Sequence, residues 1–385
     1  MLVADFVLMR TMLPAKSRSS LNLQDVFRSA EASVLGEKNV LDLPKTTSAI
    51  VLMIDGLGFN NIQQHARGFL FSRLTVSDFA SCGFPSTTAS SITSFATSSS
   101  SSDHGLFGYS IFNRSTGENV NLLSGLDKFS ILEYLKVAPI SEKSQAKVHA
   151  VTLKDYEDSG FTRATMHGAK HHFAEQVSER LELARDIVET QPGSLVYVYL
   201  PELDKQSHRT GVSSSAWGEL LDHVDQCVQM LVAKLPSDVG LVVTADHGVV
   251  DIDLGRHLFL EDLADFGDDL LSVCGDPRAT YVYLTDSADT GRIREELAEN
   301  LADRAAVVTP VELVELGYWQ PALLEDDDLL PDFVVVATSD VAIFHRKFSS
   351  AASQKMVGHH GAVSEAETKV PLLRFGTYSS SLLVP

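Results

Sequence analysis

Short apolar runs, each closed by a polar turn, recur along this chain. Residues 48–54 (Ser-Ala-Ile-Val-Leu-Met-Ile), 195–200 (Leu-Val-Tyr-Val-Tyr-Leu) and 240–244 (Gly-Leu-Val-Val-Thr) are rich in β-branched and aromatic residues. They lack the polar alternation of a half-exposed strand, so they predict strands buried on both faces, as in parallel sheets. They lead into Asp55-Gly-Leu-Gly58, Pro201-Glu-Leu-Asp204 and Ala245-Asp-His-Gly248. Between them, apolar residues recur at helical spacing over 173–188 and 217–232, the second with Ser213 to Ser215 available as caps. The pattern predicts an α/β fold with a mostly parallel sheet flanked by helices. In such sheets ligands bind beyond the carboxyl ends of the strands, where all three polar turns fall.

From about residue 252 to 345 the pattern changes. Strand-like 280–284, helical 292–301 and strand-like 332–337 predict a smaller α+β cap. That cap, 252–345, is expected to interrupt a catalytic core of residues 45–251 and 346–385. Residues 1–44 are expected to pack on the core as an N-terminal extension. The serine run Ser98 to Ser102 reads as a loop.

Bulk composition narrows the possible functions. The chain has 385 residues, 44% hydrophobic and 21% charged, enough apolar material for a sizeable core. Its net charge of −20 argues against nucleic acid as a partner, which would demand a basic face. It leaves small phosphorylated substrates open, because bound divalent ions can reverse a local field. The acidic runs 262–269 and 325–328 lack calcium-loop spacing and read as solvated surface. Cys82, Cys227 and Cys274 are odd in number and far apart, so no disulfide framework is expected. The mildly apolar start, 1–13, is broken by Asp5 and follows no basic segment, so it is not read as a secretion signal. No apolar run approaches the ~20 residues of a membrane span. The expectation is a cytoplasmic protein that uses neither membrane nor nucleic acid; the oligomeric state is not readable.

The polar turns carry the candidate chemistry. Asp55 ends one strand. Asp204 and His208 are four apart, so both can lie on one face of a helical turn. Asp246 and His247 end another strand, and His359 and His360 lie between glycines. Any one pair could be a hydrogen-bonded structural group. Four such elements, three at strand ends, point to coordination of zinc-like divalent ions. The segment Gly83-Phe-Pro-Ser-Thr-Thr-Ala-Ser-Ser-Ile92 predicts a Pro turn, hydroxyl caps and then a helix. A hydroxyl at a helix start sits where free backbone N–H groups attract phosphate. Either Thr87 or Thr88 could be that hydroxyl. Elsewhere, His171 and His172 are expected on the surface at a helix start and His223 on an amphipathic helix, while His257 could face the site. Arg114, Arg163 and Arg278 are the arginines that folding could bring to it.

Taken in order, Asp55-Gly-Leu-Gly, Phe84-Pro-Ser-Thr-Thr, His104-Gly, Asp204-Lys-Gln-Ser-His208, Thr244-Ala-Asp-His-Gly248 and Gly358-His-His-Gly361 resemble the alkaline phosphatase superfamily. Within it they most resemble the type I phosphodiesterase/nucleotide pyrophosphatase family. The resemblance covers roughly residues 45–260 and 350–375. It implies two divalent metal ions, zinc in most of the family, with manganese as the alternative. Asp55, Thr88, Asp246 and His247 would surround one ion; Asp204, His208 and His360 would bind the other. The family's ligand histidine directly precedes glycine, which selects His360 over His359. Its nucleophile is the third residue after Pro, which selects Thr88 over Thr87. The implied mechanism passes through a phosphothreonine on Thr88, which water then hydrolyses, with a small phosphorylated substrate, possibly a nucleotide, as the partner. The family's pyrophosphatases often carry an Asn a few residues after His-Gly. Here Tyr109 stands at that place, where its hydroxyl could donate the same hydrogen bond or simply pack. Phosphonate hydrolases and phosphomonoesterases of the superfamily remain alternatives, followed by a phosphomutase and a non-catalytic metal binder. A sulfatase is disfavoured because Thr88-Ala-Ser-Ser-Ile92 lacks the x-Pro-x-Arg that follows its modified nucleophile.

Overall fold

The structure, a computed structural model, describes residues 13–15, 21–75, 78–124 and 126–379. The segment 1–12, most of the stretch not read as a secretion signal, lies outside the described residues. Ten strands matter for the site: β1 Ser48–Ile54, β2 Lys147–Thr152, β3 Lys170–Phe173, β4 Ser194–Leu200, β5 Val239–Thr244, β6 Leu270–Asp276, β7 Ala279–Leu284, β8 Ala305–Val308, β9 Phe333–Ala337 and β10 Leu373–Gly376. Five helices matter with them: α1 Gln24–Leu35, α2 Thr88–Thr97, α3 Val177–Thr190, α4 Glu202–Thr210 and α5 Ser215–Ala233.

One sheet has the order β10-β5-β1-β4-β2-β3. Its pairs are parallel except for β10, which runs antiparallel to β5. Every residue of β1 is buried, which is why its sequence shows no alternation. The helices cover the faces by the expected periodicity. On α5 the buried positions include Trp217, Leu221, Val224, Val228 and Leu231, one stripe at spacings of three and four. Burying an apolar side chain of this class is worth roughly 1.5–3 kcal/mol, so this stripe anchors the helix. Ser214 caps it, accepting a hydrogen bond from the Trp217 N–H at 3.2 Å.

The expectation for His171 and His172 needs correction. They lie in β3, half-buried, and the following helix starts only at Val177. The sequence Lys-His-His-Phe has no strand signature of its own. Parallel pairing with β2 decides it, reinforced by His149 Nδ1 lying 3.0 Å from His172 Nε2.

Strands β6-β7-β9-β8 form a second, antiparallel sheet. It has its own apolar cluster around Tyr281, Tyr283, Phe333 and Trp319. That cluster also takes in Phe84, Ala89 and Ile92, so the start of α2 is wedged between the two sheets' cores. On its other side, Phe95 of α2 packs 4.8 Å from Phe27 of α1. The three cysteines are free and buried. Among the described residues, no helix is long and apolar enough to cross a membrane.

Candidate active site

The three polar turns meet at one edge because β1, β4 and β5 are parallel neighbours. Asp55 directly follows β1, Asp204 sits in the first turn of α4 just after β4, and Asp246 and His247 follow β5. Asp204 and His208 share a face of α4, with Asp204 Oδ2 3.1 Å from His208 Nε2. Glycines allow these turns to crowd. Gly56 has φ +71°, and a Cβ there would meet the Asp204 Cβ at 3.0 Å. A Cβ on Gly248 would lie 2.0 Å from the Ala366 carbonyl oxygen. A short strand, Gly358–His359, pairs with Val250–Asp251 and delivers His360 from the far end of the chain.

The three histidines are oriented alike. His247 Nδ1 lies 3.2 Å from the Gly248 carbonyl, His208 Nδ1 2.8 Å from that of Gly358, and His360 Nδ1 2.9 Å from that of Ser86. A carbonyl can only accept, so each Nδ1 carries a proton; neutral His247 and His360 then present an Nε2 lone pair inward, while His208 Nε2 faces Asp204 Oδ2. His359 is different: its Nε2 lies 3.1 Å from the Met356 carbonyl.

The carboxylates complete the pattern. Asp55 Oδ1, Asp204 Oδ1 and Asp246 Oδ2 are buried and, among the described residues, have no hydrogen-bond partner. Each faces an imidazole Nε2: His247 at 3.5 Å from Asp55 and 3.4 Å from Asp246, and His360 at 3.9 Å from Asp204. Two triads, Asp55/Asp246/His247 and Asp204/His247/His360, have ligand atoms all within 4.8 Å of one another. His208 joins through Asp204 rather than through a triad of its own. Unpaired buried carboxylate oxygens are costly unless a cation meets them. Three of them, interleaved with inward lone pairs of imidazole, fit divalent metal ions of the nitrogen- and oxygen-ligated kind.

Electrostatics agree. Burial, then Asp246 and Asp204, hold the Asp55 carboxyl well above its ordinary range. Burial raises Asp246 to about 6. Burial pushes Asp204 upward, but the charge and hydrogen bond of His208 outweigh it and hold Asp204 below the usual carboxylate range. Burial opposes charge on His208, yet Asp204 raises it to about 9. Burial lowers His247 to about 4 and His360 to about 3, keeping both imidazoles neutral.

Thr88 is the first residue of α2, and Thr87 precedes it as the cap residue. Among the described residues no side chain caps this helix start, so its first amides are open to an anion. Thr88 Oγ1 lies 3.1 Å from His247 Nε2, whereas the Thr87 hydroxyl donates to Asp276 Oδ1 at 3.3 Å. Tyr109 is 36% exposed, and its backbone N–H donates to Asp276. His257 stacks edge-on to His359, ring centroids 5.6 Å apart, behind the inward-facing histidines. Arg114 is spent on Asp332 and the Leu284 carbonyl, and Arg278 on Glu367.

Two site residues escaped the sequence reading. Tyr199 donates its hydroxyl to Asp55 Oδ2. Its position on β4, next to the strand end and in phase with Tyr197, was a usable signal. Asp276 is buried, has an unpartnered Oδ2, and is pushed by burial to about 7. It is the last residue of β6, where nothing local marks it.

Residues 49–363 match the family model described as type I phosphodiesterase / nucleotide pyrophosphatase. The chain belongs to this family. It is a hydrolase acting on phosphate ester or anhydride bonds, in a family that depends on divalent metals. Solved structures carry the same fold. Human ectonucleotide pyrophosphatase / phosphodiesterase 5 superposes with a TM-score of 0.67 at 14% identity, covering 85% of this chain and 87% of that one. An inactive form of the murine protein in complex with AMP gives 0.65 at 15%, covering 86% and 88%. Phosphonoacetate hydrolase from Sinorhizobium meliloti 1021, in complex with phosphonoacetate, gives 0.65 at 18%, covering 89% and 92%. No curated protein sequence matches the chain. This phosphodiesterase-family chain thus has the mixed α/β fold, a central mostly parallel sheet flanked by helices, expected of the alkaline phosphatase superfamily.

Proposed function

We propose that the chain is a two-metal phosphodiesterase with Thr88 as nucleophile. One observation carries the reading. Three buried carboxylates each leave an oxygen unpartnered beside an inward imidazole Nε2, and the Thr88 hydroxyl touches that group. Asp55, Thr88, Asp246 and His247 would hold one ion and Asp204, His208 and His360 the other, zinc being the preferred metal on ligand chemistry. Bound there, the ions would supply positive charge for the attacking and leaving oxygens of an in-line displacement.

The chain's own residues do the rest. Tyr199 fixes Asp55, and the backbone carbonyls of Gly248, Gly358 and Ser86 fix the imidazoles. Thr88 Oγ attacks phosphorus, the P–O bond to the leaving group breaks, and a phosphothreonine remains. Water then cleaves that ester and restores the hydroxyl. The open amides at the start of α2 favour the phosphoryl oxygens. Arg114 and Arg278 are committed to Asp332 and Glu367, and Arg163 lies 3.6 Å from Asp158, so the three arginines each face a carboxylate of the chain, which favours diesters over dianionic monoesters. The AMP held by the murine relative is consistent with a nucleotide-sized substrate. We assign residues 252–345, which include the β6–β9 sheet, as a cap over this site.

Thr88→Ala is the direct test. We expect hydrolysis of bis-p-nitrophenyl phosphate to fall at least about 10³-fold, with metal content by elemental analysis unchanged. Turnover at the parent rate would remove Thr88 from the nucleophile's role.

A further inference from the structure

We propose that Asp276, the last residue of β6, is a positioning residue that draws the Thr87 hydroxyl away from the start of α2 and so keeps that helix start open to the substrate's phosphoryl oxygens. This rests on the phosphodiesterase reading above and adds a residue of the cap to its machinery. The run Ser86-Thr87-Thr88 carries three hydroxyls, and each has a different partner. Ser86 Oγ donates to the Ala362 carbonyl at 2.7 Å and accepts from the Gly361 N–H at 3.1 Å, which ties the run to the His360 loop. Thr88 Oγ1 lies 3.1 Å from His247 Nε2. Thr87 Oγ1 donates to Asp276 Oδ1 at 3.3 Å. All three residues and Asp276 are buried.

Thr87 departs from what its place in the helix would dictate. It is the cap residue of a ten-residue helix, with φ −132° and ψ 147°. From that extended backbone a threonine hydroxyl ordinarily accepts from the second or third helical N–H, here those of Ala89 and Ser90. Among the described residues no such bond forms; the hydroxyl faces the carboxylate instead. A hydroxyl that capped the helix would occupy the amides that an anionic oxygen needs. The fold brings Asp276 there from the second sheet. Gly361, at φ +129°, lets β6 close on the His360 loop: a Cβ on that glycine would lie 2.9 Å from the Asp276 Cβ. The turn after β6 is fixed, since the Thr280 hydroxyl donates to the Asp276 carbonyl at 3.1 Å and Arg278 is paired with Glu367. An alanine at 276 offers no acceptor, and Thr87 then needs only a change of χ1 rotamer to turn back onto its own helix.

The test is a double-mutant cycle in metal-loaded, full-length protein. Asp276→Ala is made with Thr87 intact and in a Thr87→Val background, where no hydroxyl can turn back. With Thr87 intact, kcat/KM for bis-p-nitrophenyl phosphate is expected to fall about five- to tenfold, the scale of one helix cap, and the inhibition constant of inorganic phosphate to rise alike. In the Thr87→Val background the same substitution is expected to change both by less than about twofold. Asp276→Asn, whose amide oxygen still accepts from Thr87, should stay within about twofold of the parent. Equal losses with and without the Thr87 hydroxyl overturn the proposal and assign Asp276 to packing. A loss in Asp276→Asn equal to that in Asp276→Ala overturns it too and assigns the effect to charge. If the parent turns over no diester, the hydrolase reading fails separately, and the cycle is read from calorimetric Kd values for inorganic phosphate. The same pattern is then required, and a parent that binds no phosphate rejects the proposal. A crystal structure of Asp276→Ala gives the direct check: Thr87 Oγ1 should lie within hydrogen-bond distance of the Ala89 or Ser90 N–H, and a hydroxyl still turned away rejects the proposal.

Discussion

Two groups of buried charge flank the loop that carries His360, and they are built in opposite ways. Arg278 and Glu367 form a closed pair. The guanidinium makes two hydrogen bonds to Glu367, at 3.1 and 2.8 Å, and bonds the carbonyls of Ser339 and Val341. Glu367 also accepts from the Ala362 N–H and the Ser364 hydroxyl. Asp55, Asp204 and Asp246 form an open group, each with one oxygen that has no hydrogen-bond partner among the described residues. Burial opposes ionisation of Glu367, but Arg278 outweighs it and the carboxyl stays below its ordinary range. No such partner rescues Asp55 or Asp246, and both are raised. The closed pair spends its charge on holding the loop. The open group has no such counter-charge among the described residues, and on the proposed reading a divalent cation would supply it.

The largest effect that would break this comparison comes from the closed pair. Arg278→Leu leaves Glu367 buried and unpaired and is expected to cost about 3–5 kcal/mol in denaturant unfolding. The double variant Arg278→Leu/Glu367→Leu should cost much less, because no lone charge remains. Equal losses in the two proteins would show that packing, not charge, holds the loop.

A smaller effect of opposite sign is expected from the open group. In metal-free protein, Asp246→Asn removes one charge from a repelling set while an amide oxygen can still accept from the Gly56 and His247 N–H groups. Thermal unfolding should show a gain of about 1–2 kcal/mol, and calorimetric zinc affinity should fall. A loss of metal-free stability would remove the frustration argument.

The smallest effect is in the pH profile of that same gain. Asp246 titrates near 3.8 when unfolded and is raised to about 6 when folded. The folded parent therefore binds more protons between these values and loses stability as pH rises through them. The advantage of metal-free Asp246→Asn should grow from pH 4 to about 6 and then level off. An advantage independent of pH over that window would assign it to something other than the carboxylate's ionisation.

Much of the site was legible because its signals are local. A fully apolar run with a polar residue at its end predicts a buried strand and places Asp55, Asp204 and Asp246 at one edge once the strands are parallel. The four-residue spacing of Asp204 and His208 requires only a helical turn. Misplacing His171 and His172 in a helix had the same origin: β3 is a polar edge strand, and only its ladder with β2 makes it one.

The sequence by itself determined the α/β class, the strand ends that carry the acids, and the hydroxyl-rich helix start with Thr88. Its residues alone left His359 and His360 open and only the family resemblance selected His360, because the carbonyl that orients it belongs to Ser86, 274 residues away. Nor could it reveal Tyr199 on Asp55, Asp276 beside Thr87, or the commitment of Arg278. Periodicity is a property of neighbouring residues, whereas hydrogen-bond partners and unpaired charges are settled only when distant segments meet in a water-poor interior. There the site near Thr88 has its acids gathered, its imidazoles aimed and three oxygens left open.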